Sequence, residues 1–363
     1  MNDWNGFAPL NNFTAPLLEH LKRHPKRLVF PEGEDIRVLR VAEYLVKEEA
    51  AAPILLGKKE VIQHIAELHS VSLNFIRIIE PAHSSDLQLF CDRYERAEKM
   101  FGNGLPINTL EVVSEPMHFA SLMVLYGQAD AIVAGNLKRI ASVSRAVNKY
   151  RIDPIPTKPL FAISIVNIPE FIAKFGGDGI YFLADTGLTA EPTVENLAYF
   201  AIETAKMARH MKGKSIRVSM LSASTHGSVP EMSANRVRAA AALANSLLEK
   251  EGLNQEITVE GEIQIDAALS TDYYSVRVNR NATKTPSDVW IFPTFDAADI
   301  AKKLICLMPS VQNYGLILGG LRFPVAQLPR LTDTDKMLGT ALVVANEAIK
   351  FHELYPQGIA PLY

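Results

Sequence analysis

A chain of 363 residues, 48% of them hydrophobic and 21% charged, carries enough apolar mass for two domains of ordinary size rather than one small core. Its net charge of -3 lacks the basic excess that a phosphate backbone demands, which excludes nucleic acid as the expected partner. Two cysteines, Cys91 and Cys306, are too few for a disulfide framework or a cysteine zinc site, so both are expected as buried free thiols in a reducing compartment.

The N-terminus, Met1-Asn2-Asp3-Trp4-Asn5-Gly6, has no basic patch followed by an apolar run, and no stretch has the roughly twenty apolar residues of a membrane span. The chain is therefore expected to be soluble and cytoplasmic, with no membrane association. Residues 8–24 have the spacing of a short amphipathic helix, and Arg27-Leu28-Val29-Phe30 forms a first strand ending at Pro31-Glu32-Gly33-Glu34-Asp35. Apolar residues at Val38, Val41, Ala42, Leu45 and Val46 predict a helix over 35–49, and 52–57 reads as the next strand. A helix over 58–68, a strand over 75–79, helices over 86–101 and 115–127, and the strand Ala131-Ile132-Val133-Ala134 before Gly135 follow. Alternation of this kind predicts a parallel sheet covered on both faces.

Tyr150-Arg151-Ile152-Asp153-Pro154-Ile155-Pro156 breaks the pattern, because closely spaced prolines discourage helix and central strand alike, and a domain crossing is expected there. Strands over 160–166 and 179–184 lead to the loop Asp185-Thr186-Gly187-Leu188-Thr189-Ala190-Glu191-Pro192 and a helix over 193–211. Ile216-Arg217-Val218-Ser219-Met220-Leu221 then reads as a strand that runs into Ser222-Ala223-Ser224-Thr225-His226-Gly227-Ser228, before a helix beginning near Glu231. A hydroxyl-rich loop between a strand's carboxyl end and a helix is expected to offer free backbone N–H groups and Ser/Thr donors to an anion. Its alternative role is helix capping alone. A strand over 256–260, a short helix over 263–270, an irregular segment over 271–287, a strand over 289–293, a helix over 297–308, a strand over 314–320 and a last helix over 334–352 complete the chain.

Polar residues gather at several strand ends: Asp185 and Thr186, Ser222 to Ser228, Glu260 with Glu262 and Asp266, Gly319-Gly320, and Lys138, Arg139 and Arg145 beyond Gly135. In a parallel sheet these ends share one edge, where ligands of open α/β folds bind. Each also has an ordinary structural role: Asp185 as a turn former, Arg145 as a solvated helix charge, Gly319-Gly320 as a backbone bend. No H-E-x-x-H spacing, P-loop, dinucleotide fingerprint or G-x-S-x-G elbow occurs, so no metal is expected.

Six stretches in order carry a resemblance. They are Phe30-Pro31-Glu32-Gly33-Glu34-Asp35-Ile36-Arg37, Ala129 to Gly135, Leu183-Ala184-Asp185 with Pro192, Met220 to Ser228, Gly261 to Ala268, and Ile291-Phe292-Pro293. Together they resemble the phosphate acetyl/butyryltransferase family, including the phosphotransacetylase-like domain fused to some malic enzymes. The resemblance implies two α/β/α domains with mainly parallel sheets and an interdomain cleft, the first made of residues 1–154 plus 316–363 and the second of 155–315. It implies a homodimer with acyl-CoA and phosphate or acyl phosphate as substrates, and no covalently bound cofactor.

Carried over residue by residue, the family's phosphate-binding arginines fall on Arg145 and Arg330, with a weaker correspondence at Arg96. Arginine suits the task because its planar fork binds phosphate oxygens in pairs. Ser224, Thr225, Gly227 and Ser228, with Asp185, Gly319 and Gly320, are the expected substrate-binding positions. The chain departs from the family pattern at Pro329 and Leu331, which flank Arg330, and at Lys336, where the family has an acid proposed as thiol base. Asp335, or Asp333, is the substitute base. Further departures fall at Arg139-Ile140-Ala141, His226 and Arg277-Val278-Asn279-Arg280-Asn281. The resemblance implies acyl transfer between CoA and phosphate. The departures imply, as the alternative, an acyl-CoA- or phosphate-binding regulatory module.

Overall fold

A computed structural model describes residues 6–101, 108–137, 140–149, 158–278, 286–330 and 332–354. The chain forms two compact units, Met1–Thr157 with Leu321–Tyr363, and Lys158–Gly320. The proline-broken stretch 150–157, Lys138, Arg139, Leu331 and the Asn279-Arg280-Asn281 part of the altered segment lie outside the described residues. The strands in chain order are β1 (Lys26–Phe30), β2 (Ala51–Leu56), β3 (Arg77–Ile79), β4 (Ala131–Ala134), β5 (Phe161–Asn167), β6 (Ile180–Ala184), β7 (Ile216–Leu221), β8 (Ile257–Ile263), β9 (Val289–Ile291), β10 (Gln312–Gly319) and β11 (Val325–Gln327).

In the first unit the strand order is β3-β2-β1-β4-β11, and each neighbouring pair is parallel. Its strands are near-continuous apolar runs, as sheets covered on both faces require; Leu28, Val29, Ile132, Val133 and Val325 are all buried. The C-terminal helix Thr334–Leu354 packs on β1, β4 and β11 and on the helix Ile36–Lys47. That helix starts where the Asp35 carboxylate accepts the Arg37 N–H at 2.8 Å, an N-cap.

In the second unit the order is β10-β5-β6-β9-β7-β8. The pairs β6·β9, β9·β7 and β7·β8 are parallel, whereas β5 is antiparallel to both β6 and β10. Two reversals restore direction, so β10 runs parallel to β6, and the carboxyl ends of β6 through β10 share one edge with the amino end of β5. The core on one face is built around Trp290, stacked on Tyr181 at 4.5 Å, with Leu183, Leu221, Ile263 and Phe292. Helix Val194–Lys212 opens with the Thr193 side chain accepting the Asn196 N–H and closes on Gly213, at φ 62.

Several elements differ from the sequence reading. Strand β11 is too short to show a period, and the helix Pro169–Phe175 lies in a stretch that contributes no buried residue. Residues 271–278, expected to be irregular, are helical, and β8 continues through Glu262 to Ile263. Phe75, expected inside a strand, is 91% exposed with φ 62, in the left-handed region. Cys91 is buried, but Cys306 is exposed rather than buried, at the solvent side of its helix. Among the described residues no helix is long and apolar enough to cross a membrane.

Candidate active site

On the carboxyl edge of the first unit, the Glu32 carboxylate receives three consecutive backbone N–H groups from the loop after β4. Gly135 and Asn136 donate to Oε2 at 2.8 and 3.0 Å, and Leu137 to Oε1 at 2.9 Å. Asn136 in turn donates its side-chain amide to Asp35 at 2.7 Å. Gly135 sits at φ 101, and a Cβ there would lie 2.1 Å from the Gln327 amide nitrogen, so only glycine passes between these neighbouring strands. Arg37 binds Asp35 through Nε and Nη2, and its Nη1 donates to the Thr332 carbonyl at 2.8 Å. Burial alone would raise the Asp35 pKa; the Arg37 hydrogen bonds and charge and the Asn136 amide reverse this and hold it low.

Those contacts frame Arg330. The Thr332 N–H and hydroxyl both donate to the Pro329 carbonyl, closing the turn that carries Arg330 into solvent after β11. Its guanidinium makes no hydrogen bond or ion pair among the described residues. Arg145 is likewise exposed and unpaired among the described residues, on the helix Ile140–Lys149 that follows β4. Strands β4 and β11 are direct neighbours, with Ala134 opposite Gln327. The two cations therefore belong to segments that leave adjacent strand ends. Asp335 is exposed, and its Oδ1 accepts the Ala8 N–H at 3.0 Å. Asp333 caps the C-terminal helix, accepting the Lys336 N–H at 2.8 Å and the Lys336 ammonium at 2.7 Å. Arg96 is exposed on the helix Leu87–Phe101.

In the second unit the hydroxyl loop is organised around Glu262, whose side chain is fully buried at the end of β8. Its Oε1 accepts the Ser224 hydroxyl at 2.8 Å, the Gly227 N–H at 2.6 Å and Arg238 Nη2 at 2.9 Å, while Oε2 accepts Arg238 Nε at 2.9 Å. Burial would raise this carboxyl's pKa. Arg238, the Gly227 N–H and the Ser224 hydroxyl outweigh it and hold the group down to about 2. His226, at φ 48, donates its N–H to the Glu262 carbonyl at 3.1 Å, and its ring meets Glu260 at 3.2 Å.

The expectation that this loop offers free backbone N–H groups is corrected. Ser224 donates to the Ser222 hydroxyl, Thr225 to the Ser228 hydroxyl, Ser228 to the Thr225 carbonyl and Val229 to the Ser224 hydroxyl. With His226 and Gly227 directed to Glu262, every N–H from 224 to 229 is engaged within this cluster. The hydroxyl protons remain to be accounted for. Ser224 gives its proton to Glu262 and Thr225 gives its own to Gln264 at 3.2 Å. Ser228 accepts the Thr225 N–H and, because the Ser224 proton goes to Glu262, is the donor in the long 3.4 Å hydrogen bond to Ser224 Oγ.

Asp185 ends β6 on the same edge, and its buried carboxylate is saturated by backbone. Oδ1 accepts the Ala162, Gly187 and Leu188 N–H groups at 2.9, 3.0 and 3.2 Å, and Oδ2 accepts Thr189 at 2.7 Å. Replacing Asp185 by Asn removes an acceptor and sets an amide donor against these N–H groups. A loss of about 1–3 kcal/mol is expected in urea unfolding, and a loss under about 0.5 kcal/mol would show that the loop holds itself. Gly319 and Gly320 close β10. A Cβ at Gly319 would lie 2.3 Å from the Phe161 ring, and Gly320, at φ 83, approaches the Pro159 carbonyl. Lys302 was not singled out in the sequence. It is largely buried beneath the Asp185 loop and donates to the Thr186 carbonyl at 2.9 Å, and its pKa is lowered by burial.

The second unit thus brings together Ser224, Thr225, Gly227 and Ser228 around Glu262, with Asp185, Gly319 and Gly320 on the same sheet edge; the first unit carries Arg145, Arg330 and Asp335. No group of three or more His, Cys, Asp or Glu suited to a metal ion occurs among the described residues.

The sequence matches the phosphate acetyl/butaryl transferase family across residues 12–345. The chain belongs to this family. A phosphate acetyltransferase of Thermoanaerobacterium thermosaccharolyticum is 28% identical over 314 residues, covering 86% of this chain and 92% of that protein. A phosphate acetyltransferase of Staphylococcus epidermidis is 29% identical over 324 residues, covering 89% of this chain and 95% of its own length. Among solved structures, the EutD phosphotransacetylase from Staphylococcus aureus superposes with a TM-score of 0.81 at 27% identity, covering 93% of this chain and all of that one. The α/β architecture and its strand-end loops are therefore those of a phosphate acyltransferase family member.

Proposed function

We infer that the protein is an active phosphate acyltransferase, exchanging CoA for phosphate on an acyl group: acyl-CoA and phosphate give acyl phosphate and CoA. The observation that carries this reading is the family match from residue 12 to 345, which spans the strand-end loops of both units. It favours transfer over a binding-only module. In the direction that makes the thioester, the CoA thiol gives its proton to a base and the sulfur attacks the acyl carbonyl carbon. The carbon–sulfur bond forms, the carbon–oxygen bond to phosphate breaks, and phosphate departs with the electron pair.

We assign the departing phosphate to Arg330 and Arg145, whose guanidinium groups have no partners among the described residues to be displaced. Ser228 supplies the hydroxyl donor, because its proton is held only by the long 3.4 Å bond to Ser224 Oγ and can turn to a substrate oxygen, whereas Ser224 and Thr225 spend theirs on Glu262 and Gln264 and so hold the loop in shape. Gly227 supplies the positive φ, 86, that the loop's turn requires, and Gly319 and Gly320 let the end of β10 pass the Phe161 ring and the Pro159 carbonyl, so these glycines set the shape of the edge that receives substrate. Asp335 is the base we favour over Asp333. Its Oδ2 has no hydrogen-bond partner among the described residues, whereas Asp333 is tied to the Lys336 ammonium.

The homodimeric state is carried over from the family resemblance, and the cytoplasmic setting from two free thiols, Cys91 and Cys306. Incubation with CoA and either acetyl phosphate or butyryl phosphate tests the reading through thioester absorbance. Enzyme-dependent thioester formation with one of them supports transfer and sets the acyl preference; CoA binding without thioester supports the regulatory module instead. An Asp335→Asn variant is expected to lose about 10²-fold or more in kcat, the usual contribution of a positioned base. Wild-type kcat in that variant moves the role to another group.

A further inference from the structure

At the amino-terminal edge of the second unit's sheet, away from the strand ends that carry the hydroxyl loop, lies a cavity of about 290 Å³. Asp178, Tyr181, Lys214, Ser215, Arg217 and Asp288 line it. The strand register explains the grouping. Val289 pairs with Phe182 on one side and Val218 on the other, so the preceding residues Tyr181, Asp288 and Arg217 form one row on one face of the sheet. Trp290, two residues beyond Asp288, shares that face and stacks on Tyr181.

The charges in this cavity do not cancel. Lys212 donates to Asp288 at 2.6 Å, to Asp178 at 2.9 Å and to the Ile180 carbonyl at 2.8 Å. Lys214 bridges the same carboxylates at 3.2 and 3.0 Å. Two aspartates are thus satisfied by two lysines, and the Arg217 backbone N–H also reaches Asp288 at 3.1 Å. The Arg217 guanidinium is left over, with no hydrogen bond or ion pair among the described residues. In the same row the Tyr181 hydroxyl is buried and has no hydrogen-bond partner among the described residues, an arrangement that costs free energy unless a ligand in the cavity accepts its proton. Burial, reinforced by Asp178 and Asp288, raises its pKa and keeps it a donor.

We propose that this cavity is a second binding site, taking the carboxylate or phosphate group of a small molecule between the Arg217 guanidinium and the Tyr181 hydroxyl. A planar fork and a neutral phenol are complementary to an oxyanion. The flanking Asp178 and Asp288 carboxylates, already bound to lysines, restrict the ligand to one anionic group and favour hydroxyl groups around it.

Trp290 is a built-in reporter, since it lies against Tyr181 and the chain has 2 tryptophans. In full-length Trp4→Phe protein, Trp290 is the sole indole, and its emission is followed during titration with inorganic phosphate, glycerol 3-phosphate and lactate. A saturable change with at least one of them is expected, and the phosphate and lactate arms separate the two anion sources. Arg217→Met should weaken that response about tenfold or more, as loss of a charge-assisted pair does. Arg217 is half-buried and its guanidinium is unpaired among the described residues, so the variant is expected to keep the fold, which circular dichroism checks, and the phosphate KM of the acyl transfer is expected to stay unchanged. Arg330→Ala should leave the Trp290 response as it is. No saturable change with any of the three, a change that survives Arg217→Met, or one abolished by Arg330→Ala would each overturn the proposal.

Discussion

Glu262→Ala is expected to lower stability by about 2–4 kcal/mol and to abolish acyl transfer. The Gly227 N–H and the Ser224 hydroxyl lose their common acceptor in a buried place, and no other group in the loop can replace it. Arg238 is 45% exposed and can turn to water, which keeps the cost below that of stranding a fully buried cation. Urea unfolding measures the loss; a change under about 1 kcal/mol would show that the loop is held by its own hydroxyls. The same carboxylate gives the wild type a pH signature. Its folded pKa, about 2, lies below the ordinary 4.5, so the stability it contributes is present above about pH 4.5 and is lost as the pH falls toward 2. In Glu262→Gln that part of the acid limb should be missing.

Arg330→Ala is expected to reduce kcat/KM for phosphate by about 10²–10³-fold, the scale of removing one pre-positioned group that stabilises developing charge. Stability should stay within about 0.5 kcal/mol, because the side chain is exposed and unpaired among the described residues. The separation of the two effects is what distinguishes a substrate-binding role from a structural one. Arg330→Lys restores the charge but not the two-pronged geometry, and should recover part of the loss. Steady-state kinetics at fixed acetyl-CoA with varied phosphate gives the answer, and an unchanged kcat/KM would remove Arg330 from the site.

The alternating architecture was legible because buried parallel strands are written as apolar runs such as Ala131 to Ala134 and Ile216 to Leu221, and their helices carry a helical period. The strand-end loops were legible for the same reason, since polar residues immediately after such runs fall on one edge. The reversal of β5 was not, because buried strands look alike in either direction. Nor was the direction of the loop's donors. Ser222 to Ser228 reads as a row of outward donors, yet the loop's own hydroxyls and carbonyl take most of its N–H groups, and the buried Glu262 carboxylate takes the Gly227 N–H and the Ser224 hydroxyl. The available signal was a charge at the apolar end of a strand, which must find partners when buried; its partner Arg238 lies on a helix where an arginine reads as solvated. Asp185 shows the converse. Its turn-forming role is fully expressed in four backbone hydrogen bonds. Lys302 was hidden in an amphipathic helix, where Lys302-Lys303 reads as an exposed pair although only Lys303 is exposed.

Despite Pro329, Leu331 and Lys336, this chain is expected to turn over acyl-CoA with phosphate. The most direct measurement is phosphate-dependent release of free thiol from acetyl-CoA and butyryl-CoA, compared between the wild type and Arg330→Ala. Saturable release that requires phosphate and falls about 10²-fold or more in the variant is the predicted result. CoA binding with no phosphate-dependent release from either thioester would contradict the account and leave a binding protein on a transferase fold.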